Sequence, residues 1–451
     1  MTQGEPPARP PHGLRRHIVA LAWPVAAEMA LQTATQMVDM VMVGRLGPEA
    51  IAAVGLSFRP VFIPYAGVLG FGAGVAAVIA RHIGAGEHRQ ASRAAAQAIL
   101  SFAMVAVAVS LGFFIWATRI MTLMGATGEV VDMGRLYLWG LSPGLGFLFL
   151  ALTMTFALRG AGDTKTPLKV NALANVLNVF LNWVLIFGHL GFPALGLLGA
   201  GLATSIARTM AAISLLVFML RGSSGLNLLA ADFARLDTNV IRRMLRIGLP
   251  AIVERLNLST AQAVHLRIVA ALGTTAVASA TVASMVELIS FMPAIGFSVA
   301  AATTVGQSLG ASQPERAQAY AWESTRVCAV FMGFMGLLFG LFPGILVRAF
   351  TGDPVVAGQG AMLLRIVAFS QVFTGIGHTL AGALRGAGDT RTVFLVTVAA
   401  SWGVRVAMAA LMVRMGLGLT GAWIAILLDW IVQAAGTAWF FRRGKWKGMV
   451  L

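Results

Sequence analysis

Leu158-Arg-Gly-Ala-Gly-Asp-Thr164 returns unchanged as Leu384-Arg-Gly-Ala-Gly-Asp-Thr390. The shift of 226 residues, from Arg159 to Arg385, aligns far more than this heptapeptide. Pro24 falls on Pro250, Glu28 on Glu254, Gln36 on Gln262 and Gly47 on Gly273. Gly70-Phe71 falls on Gly296-Phe297, and Gly84-Ala85 on Gly310-Ala311. One glycine-rich match could be chance, but one offset held through most of each half marks a tandem duplication.

Of the 451 residues, 58% are hydrophobic and 11% charged, with mean hydropathy +0.82. Soluble domains carry roughly a quarter charged residues, so the chain lacks the polar surface of a soluble protein and belongs in a bilayer. The net charge of +16 does not point to nucleic acid. Its arginines and lysines sit mainly in short loops between apolar runs, which is the pattern of positive-inside topology. The single cysteine, Cys328, rules out an intramolecular disulfide and leaves no thiolate cluster for a metal.

Membrane helices need roughly 20 mainly apolar residues. Such runs begin near Ile18, Ala50, Ala91, Val130, Pro167 and Leu195, and again near Ile247, Val277, Ala317, Val356, Val393 and Leu419. The expected class is therefore all-α integral membrane, with twelve transmembrane helices in two pseudo-symmetric six-helix lobes. The divisions are a disordered cytoplasmic tail at 1–17, an N-terminal lobe at 18–220 and a cytoplasmic connector at 221–246. A C-terminal lobe at 247–441 and a basic cytoplasmic tail at 442–451 complete the chain. With the N-terminus inside, the cytoplasmic loops collect most of the basic residues, so both termini face the cytoplasm. An even helix count per half gives the two lobes the same sense, related by an axis along the membrane normal.

In the heptapeptide, the glycines suit a helix end and Asp163, Thr164 and Thr166 suit the cap of the helix that Pro167 enters. Arg159 and Arg385 are expected to anchor to headgroups or bridge to the neighbouring aspartates. Polar residues inside apolar runs are candidates for function by default. Glu28, Gln32, Thr35 and Asp39 share one helix face, with Gln36 beside them. Asn171, Asn175, Asn178 and Asn182 share a face of the fifth run, and their amides can coordinate a cation or hydrogen-bond a carboxyl, or join helices. In the second half Glu254 repeats Glu28, but His265 stands where Asp39 would fall, so the halves diverge where charge matters. Glu254 adjoins Arg255 and is open to pairing with it; His265 suits a hydrogen-bonded cavity residue. Glu287 lies among Met285, Phe291 and Met292, and an acid among polarizable side chains suits an amphipathic cation. Arg405 and Asp429 suit a buried pair. Neither a nucleotide-binding loop nor a catalytic or zinc motif is present, so the chain reads as a transporter powered by an ion gradient, not as an enzyme.

Together, Val38-Asp-Met-Val-Met-Val-Gly44, the two heptapeptides, Gly199-Ala-Gly-Leu-Ala-Thr204, Pro293-Ala-Ile-Gly-Phe297 and Val305-Gly-Gln-Ser-Leu-Gly-Ala311 resemble the multidrug and toxic compound extrusion (MATE) family of secondary transporters. The resemblance covers nearly the whole chain after its N-terminal tail. It implies two six-helix lobes around a V-shaped cavity, and an inner-membrane antiporter that exports cationic drugs against H⁺ or Na⁺. No other cofactor is implied, and the expected state is a monomer. Asp39 resembles the family's first-helix acid, with Asn178, Asn182 and Thr204 as its neighbours and Glu254 as a further coupling residue. A single carboxylate in that lobe favours H⁺; Na⁺ at Asp39 is the one metal expected. Gln36, His265, Met285, Glu287 and Met292 are the expected cargo contacts. The rival reading is a flippase for a lipid-linked precursor, which predicts an arginine-rich cavity, whereas the intramembrane charges that stand out here are mainly acidic.

Overall fold

The computed structural model describes residues 13–222 and 224–449; residues 1–12 of the expected tail, Ser223 of the connector, and 450–451 lie outside that description. Its first half is built from α1 (Leu14–Gly44), α2 (Pro48–Gly84), α3 (His88–Ile115), the short α4 (Ala117–Leu123), α5 (Glu129–Ala161), α6 (Lys165–Phe187) and α7 (Gly196–Leu220). The second half repeats the plan as α8 (Thr238–Ala270), α9 (Thr274–Gly310), α10 (Pro314–Leu341), the short α11 (Pro343–Arg348), α12 (Pro354–Ala387), α13 (Thr390–Ala400), α14 (Ala407–Met412) and α15 (Gly418–Arg442). Ten described helices are long and apolar enough to span a membrane. The last of these runs, Thr390–Arg442, turns back at Gly416 and Gly418, whose φ values are 87° and 51°, and so crosses twice. Adding α8, whose arginines dilute its hydropathy, gives the expected twelve.

Helix starts fall within a few residues of the apolar runs, with one exception. α8 begins at Thr238, inside the stretch read as connector, because Asp237 caps it by accepting from the N–H groups of Asn239 and Val240. The preceding connector is strapped to α3. Arg89 forms a two-pronged pair with Asp232 at 2.5 and 2.6 Å, and Gln97 donates to the carbonyls of Asp232 and Arg235. A further departure is the eleventh span, where α13 and α14 are joined through a π-helical turn at Ser401–Val406 and a second follows at Val413–Leu417.

One end of the bundle, here the near end, carries both described termini. The heptapeptides lie there. Arg159 donates to Glu28 of α1 at 2.8 Å, and Arg385 donates to Glu254 of α8 at 2.5 Å. These are the same pair in each half, since both partners shift by 226 residues. Neither arginine takes the partners expected from sequence. Each is one turn inside its helix, and a buried carboxylate on the neighbouring helix demands a counter-charge more strongly than an exposed aspartate does. Gly162 and Gly388 adopt φ values of 93° and 94°, closing their helices as left-handed caps. Asp163 then accepts from the N–H groups of Lys165 and Thr166, and Asp389 accepts from Thr392.

The halves interlock across this end. α2 packs far more extensively on α8 than on α1, and α1 more on α9 than on α2. At the tips, a Cβ on Gly84 would collide with the Gln307 carbonyl, and one on Gly310 with the Arg81 carbonyl. Arg81 and Gln307 are equivalent positions, and each donates to the opposite heptapeptide: Arg81 to the Ala387 carbonyl at 3.3 Å, Gln307 to the Gly160 carbonyl at 3.1 Å. Thr303 adds a bond to the Arg159 carbonyl at 2.8 Å, and Arg15 pairs with Glu323. Among the described residues, every side-chain hydrogen bond between the two lobes involves these near-end groups. Towards the far end Met37, Val41, Leu266, Met285 and Ile289 are exposed, and the lobes part around a V-shaped cleft.

Two consequences are measurable. Arg385→Met leaves Glu254 buried without a counter-charge and should cost about 3 kcal/mol or more, whereas the double variant with Glu254→Met should recover most of it. Thermal unfolding in detergent reads both, and equal losses in the single and double variants would remove the ion pair from the account. Burial opposes ionisation of Asp163, but hydrogen bonds from Ser224, Thr166 and the Lys165 N–H outweigh it and hold the carboxyl below its ordinary range. Its contribution is thus complete above the unfolded pKa and lost as pH falls through the lower folded value. Asp163→Ala should cost about 1 kcal/mol at neutral pH, and its gap from the parent should close below about pH 4.

Candidate ion and cargo sites

Asp39 lies towards the far end of α1, beside the asparagine face of α6. Asn182 donates to its Oδ1 at 2.6 Å. Of the two orientations of the Asn178 amide, the one that satisfies every neighbour points its nitrogen at Asp39, 3.1 Å from each carboxylate oxygen. The Asn178 oxygen then accepts from the N–H of Thr204 at 3.2 Å and from its hydroxyl at 3.3 Å. Asn178 and Asn182 are buried, and the spacing of four on α6 aims both at the same carboxylate. The structure therefore brings Asp39, Asn178, Asn182 and Thr204 together.

The carboxylate is satisfied, yet the cluster keeps an unused oxygen. Asn182 Oδ1 is buried with no donor, and Asn175 Oδ1, two turns back along α6, is likewise unpaired. A carboxylate beside a free amide carbonyl is a hard-oxygen pair, suited to H⁺ or a small monovalent cation and not to a soft metal. Among the described residues no three His, Cys, Asp or Glu gather as metal ligands.

The other candidate residues are dispersed. Glu254 stands apart in the second lobe, held by Arg385 at 2.5 Å and not by adjacent Arg255. Glu28, its counterpart, accepts from Asn171 at 2.7 Å as well as from Arg159. Gln36 is exposed beside the Asp39 stripe. His265 is buried edge-on to Trp423, with ring centroids 6.0 Å apart, and neither ring nitrogen has a partner; the hydrogen bonds expected of it are absent among the described residues. Met285 is 46% exposed, and Glu287 and Met292 are half-buried on the same helix. Phe291 packs edge-on to His378 at 4.6 Å, and His378 packs in the same manner on Trp430 at 5.0 Å. Arg405 donates to Asp429 at 2.8 Å while its guanidinium lies 5.7 Å from the Trp430 ring.

Two partly buried ionisable residues of the membrane helices, Arg208 and His378, escaped the sequence reading. Arg208 of α7 lines a cavity of about 30 Å³ with Glu28, Gln32, Thr155, Asn171 and Asn175, and it lies within electrostatic range of Asp39. His378 sits among the aromatic rings just described. The signal for both was available: a lone ionisable residue inside an apolar run.

A tandem pair of six-helix lobes, clasped at one end around a polar intramembrane cleft, defines a membrane transporter. Residues 24–184 and 250–411 each match the MatE family, and the two matched stretches begin 226 residues apart. The chain belongs to the multidrug and toxic compound extrusion family. It is similar to a probable multidrug resistance protein NorM of Thermotoga maritima, with 32% identity over 96% of this chain and 93% of the relative. Among solved structures it resembles the outward-facing conformation of a multidrug resistance MATE family transporter of the MOP superfamily, with TM-score 0.88 and 25% identity over 97% of both chains. A MOP superfamily transporter from Pyrococcus furiosus, described as having a binding pocket of reverse polarity that suggests a different function, gives TM-score 0.87 and 25% identity over 97% of both chains.

Proposed function

We propose that the protein exports organic cations and drugs by alternating access, in exchange for an inward coupling ion, with H⁺ favoured over Na⁺. The observation that carries this reading is Asp39, a single carboxylate inside the first lobe whose two oxygens are met by the amides of Asn178 and Asn182. Neutralising that carboxylate by H⁺ or Na⁺ changes what it asks of both amides. A protonated carboxyl must donate through one oxygen, which Asn178 and Asn182 can accept only by turning. The strain then passes to α1, whose hydrogen-bond ladder is already interrupted at Pro24, and the cargo leaves through the far end. The near end is the cytoplasmic face in this reading, because the basic loops and both termini gather there. The clasped near end and the likeness to an outward-facing relative support an outward-open state. A monomer in the inner membrane suffices, since each chain holds both lobes.

The cargo class follows from Glu287 and Asp39, acids beside exposed or half-buried Met285, Met292 and Gln36. Arg208 favours the flippase as a second reading, because it has no carboxylate within ion-pair distance among the described residues and could meet a phosphate. Glu28 lines the same small cavity, however, and a carboxylate there repels an incoming phosphate.

In proteoliposomes loaded with ethidium, an imposed pH gradient should drive efflux, and Asp39→Asn should reduce it at least tenfold. Efflux at the parent's rate in that variant would sink the mechanism, and efflux driven by a Na⁺ gradient alone would reassign the ion. Glu287→Gln should instead raise the KM for cationic cargo about tenfold, the cost of one charge-assisted contact. An unchanged KM removes Glu287 from the cargo site.

A further inference from the structure

The near end carries a feature that the transport reading leaves unused. A cavity of about 280 Å³ opens between α8 and the start of α13, walled by Arg243, Arg246, Ile247, Asp389, Arg391 and Met449 among others. That volume approaches the roughly 300 Å³ at which small-ligand pockets begin. Its three arginines are exposed, and among the described residues none has a carboxylate within ion-pair distance. Asp389, the acid in the wall, is already engaged by the N–H of Thr392 at 3.1 Å and its hydroxyl at 2.8 Å. α13 starts on this wall, so the positive end of its dipole adds to the same field.

The position of the cavity says what kind of anion it meets. Arg243 and Arg246 stand where α8 passes from connector into apolar run, and Arg391 stands in the first turn of a spanning helix, so the cluster lies at headgroup level. Below it Leu245, Leu249 and Val253 form an exposed stripe along α8, and Leu395 is exposed on α13. Spacings of four keep the stripe on one helix face. Basic pockets between membrane helices that continue into an apolar groove suit an anionic lipid, with the phosphate in the pocket and the chains along the groove. The feature is not inherited from the duplication. The positions equivalent to Arg243, Arg246 and Arg391 in the first half are His17, Ala20 and Lys165, a much weaker set.

We propose that this cavity binds the phosphate of an anionic phospholipid from the leaflet at the near end. The lipid would tie α8 to α13 from outside, adjacent to the clasp between the lobes.

The test is native mass spectrometry of the full chain released from mixed phosphatidylglycerol and phosphatidylcholine membranes. The parent should retain phosphatidylglycerol selectively, and the double variant Arg243→Gln/Arg391→Gln should bind it about 25-fold more weakly, about fivefold for each arginine near the surface. Arg414→Gln, at the far end, should bind like the parent. Should the double variant unfold in detergent, Arg246→Gln alone should still show about a fivefold loss. Millimolar inorganic phosphate should not displace the lipid; displacement would assign the cavity to a free phosphate and overturn the lipid reading. Equal retention of phosphatidylcholine, or variants that keep phosphatidylglycerol as the parent does, would overturn it altogether.

Discussion

The architecture depends on a carboxylate that cannot be left alone. Glu28 and Glu254 sit within apolar helices, where an unpaired charge costs several kcal/mol. Each is answered by an arginine carried 131 residues further along, in a segment that must therefore dock against α1 or α8. Once Arg159 and Arg385 are fixed in this way, the remaining heptapeptide residues have their tasks set. Gly162 and Gly388 end the helix, Asp163 and Asp389 start the next, and the carbonyls of Gly160 and Ala387 are presented to the opposite half. One short string thus joins intralobe pairing to interlobe closure, which accounts for its survival in both copies while most surrounding residues diverged.

That coupling bears on the alternating-access cycle proposed above. The clasp combines the packing of α2 on α8 and of α1 on α9, the Arg15–Glu323 pair, a few hydrogen bonds, and the close passage of Gly84 and Gly310 past facing carbonyls. Its hydrogen bonds contribute about 1 kcal/mol each where both partners are neutral and about 1.5–3 kcal/mol where Arg81 donates. A change of a few kcal/mol elsewhere is enough to shift a two-state equilibrium of this kind, which is the scale available from neutralising one buried carboxylate.

Much of this was legible in the sequence, and the reasons are local. A duplication preserves its offset in any residues under the same constraint, so the heptapeptide and the paired glycines announced both lobes. The α6 asparagines shared a face by spacing alone. What remained hidden depends on tertiary structure. No spacing rule connects Arg385 to Glu254, so the partners of the heptapeptide arginines were misread. The start of α8 was masked by arginines that resemble a loop, although Asp237 was a readable cap. The π-helical turn around Arg405 has no propensity signature; such turns arise where one extra residue is accommodated in a helix. This one brings Trp402 and Ser401 to Asn257 of α8, at 2.7 and 3.1 Å.

The two lobes share a frame but not a chemistry, and the difference has a direction. In the first lobe the polar interior is built from amides around Asp39, with Arg208 nearby. In the second, His265 replaces the acid, and the interior is filled by Arg405 with Asp429, by His378, and by the rings of Phe291, Trp423 and Trp430. Amides with unfilled oxygens are suited to a small ion that must exchange with water, since their dipoles reorient at little cost. Rings and methionines are suited to a large, apolar cation that changes from one cargo to the next, because they offer area and polarizability without fixed geometry. A clasp common to both lobes would let an ion on one side and cargo on the other act on the same equilibrium without sharing a site.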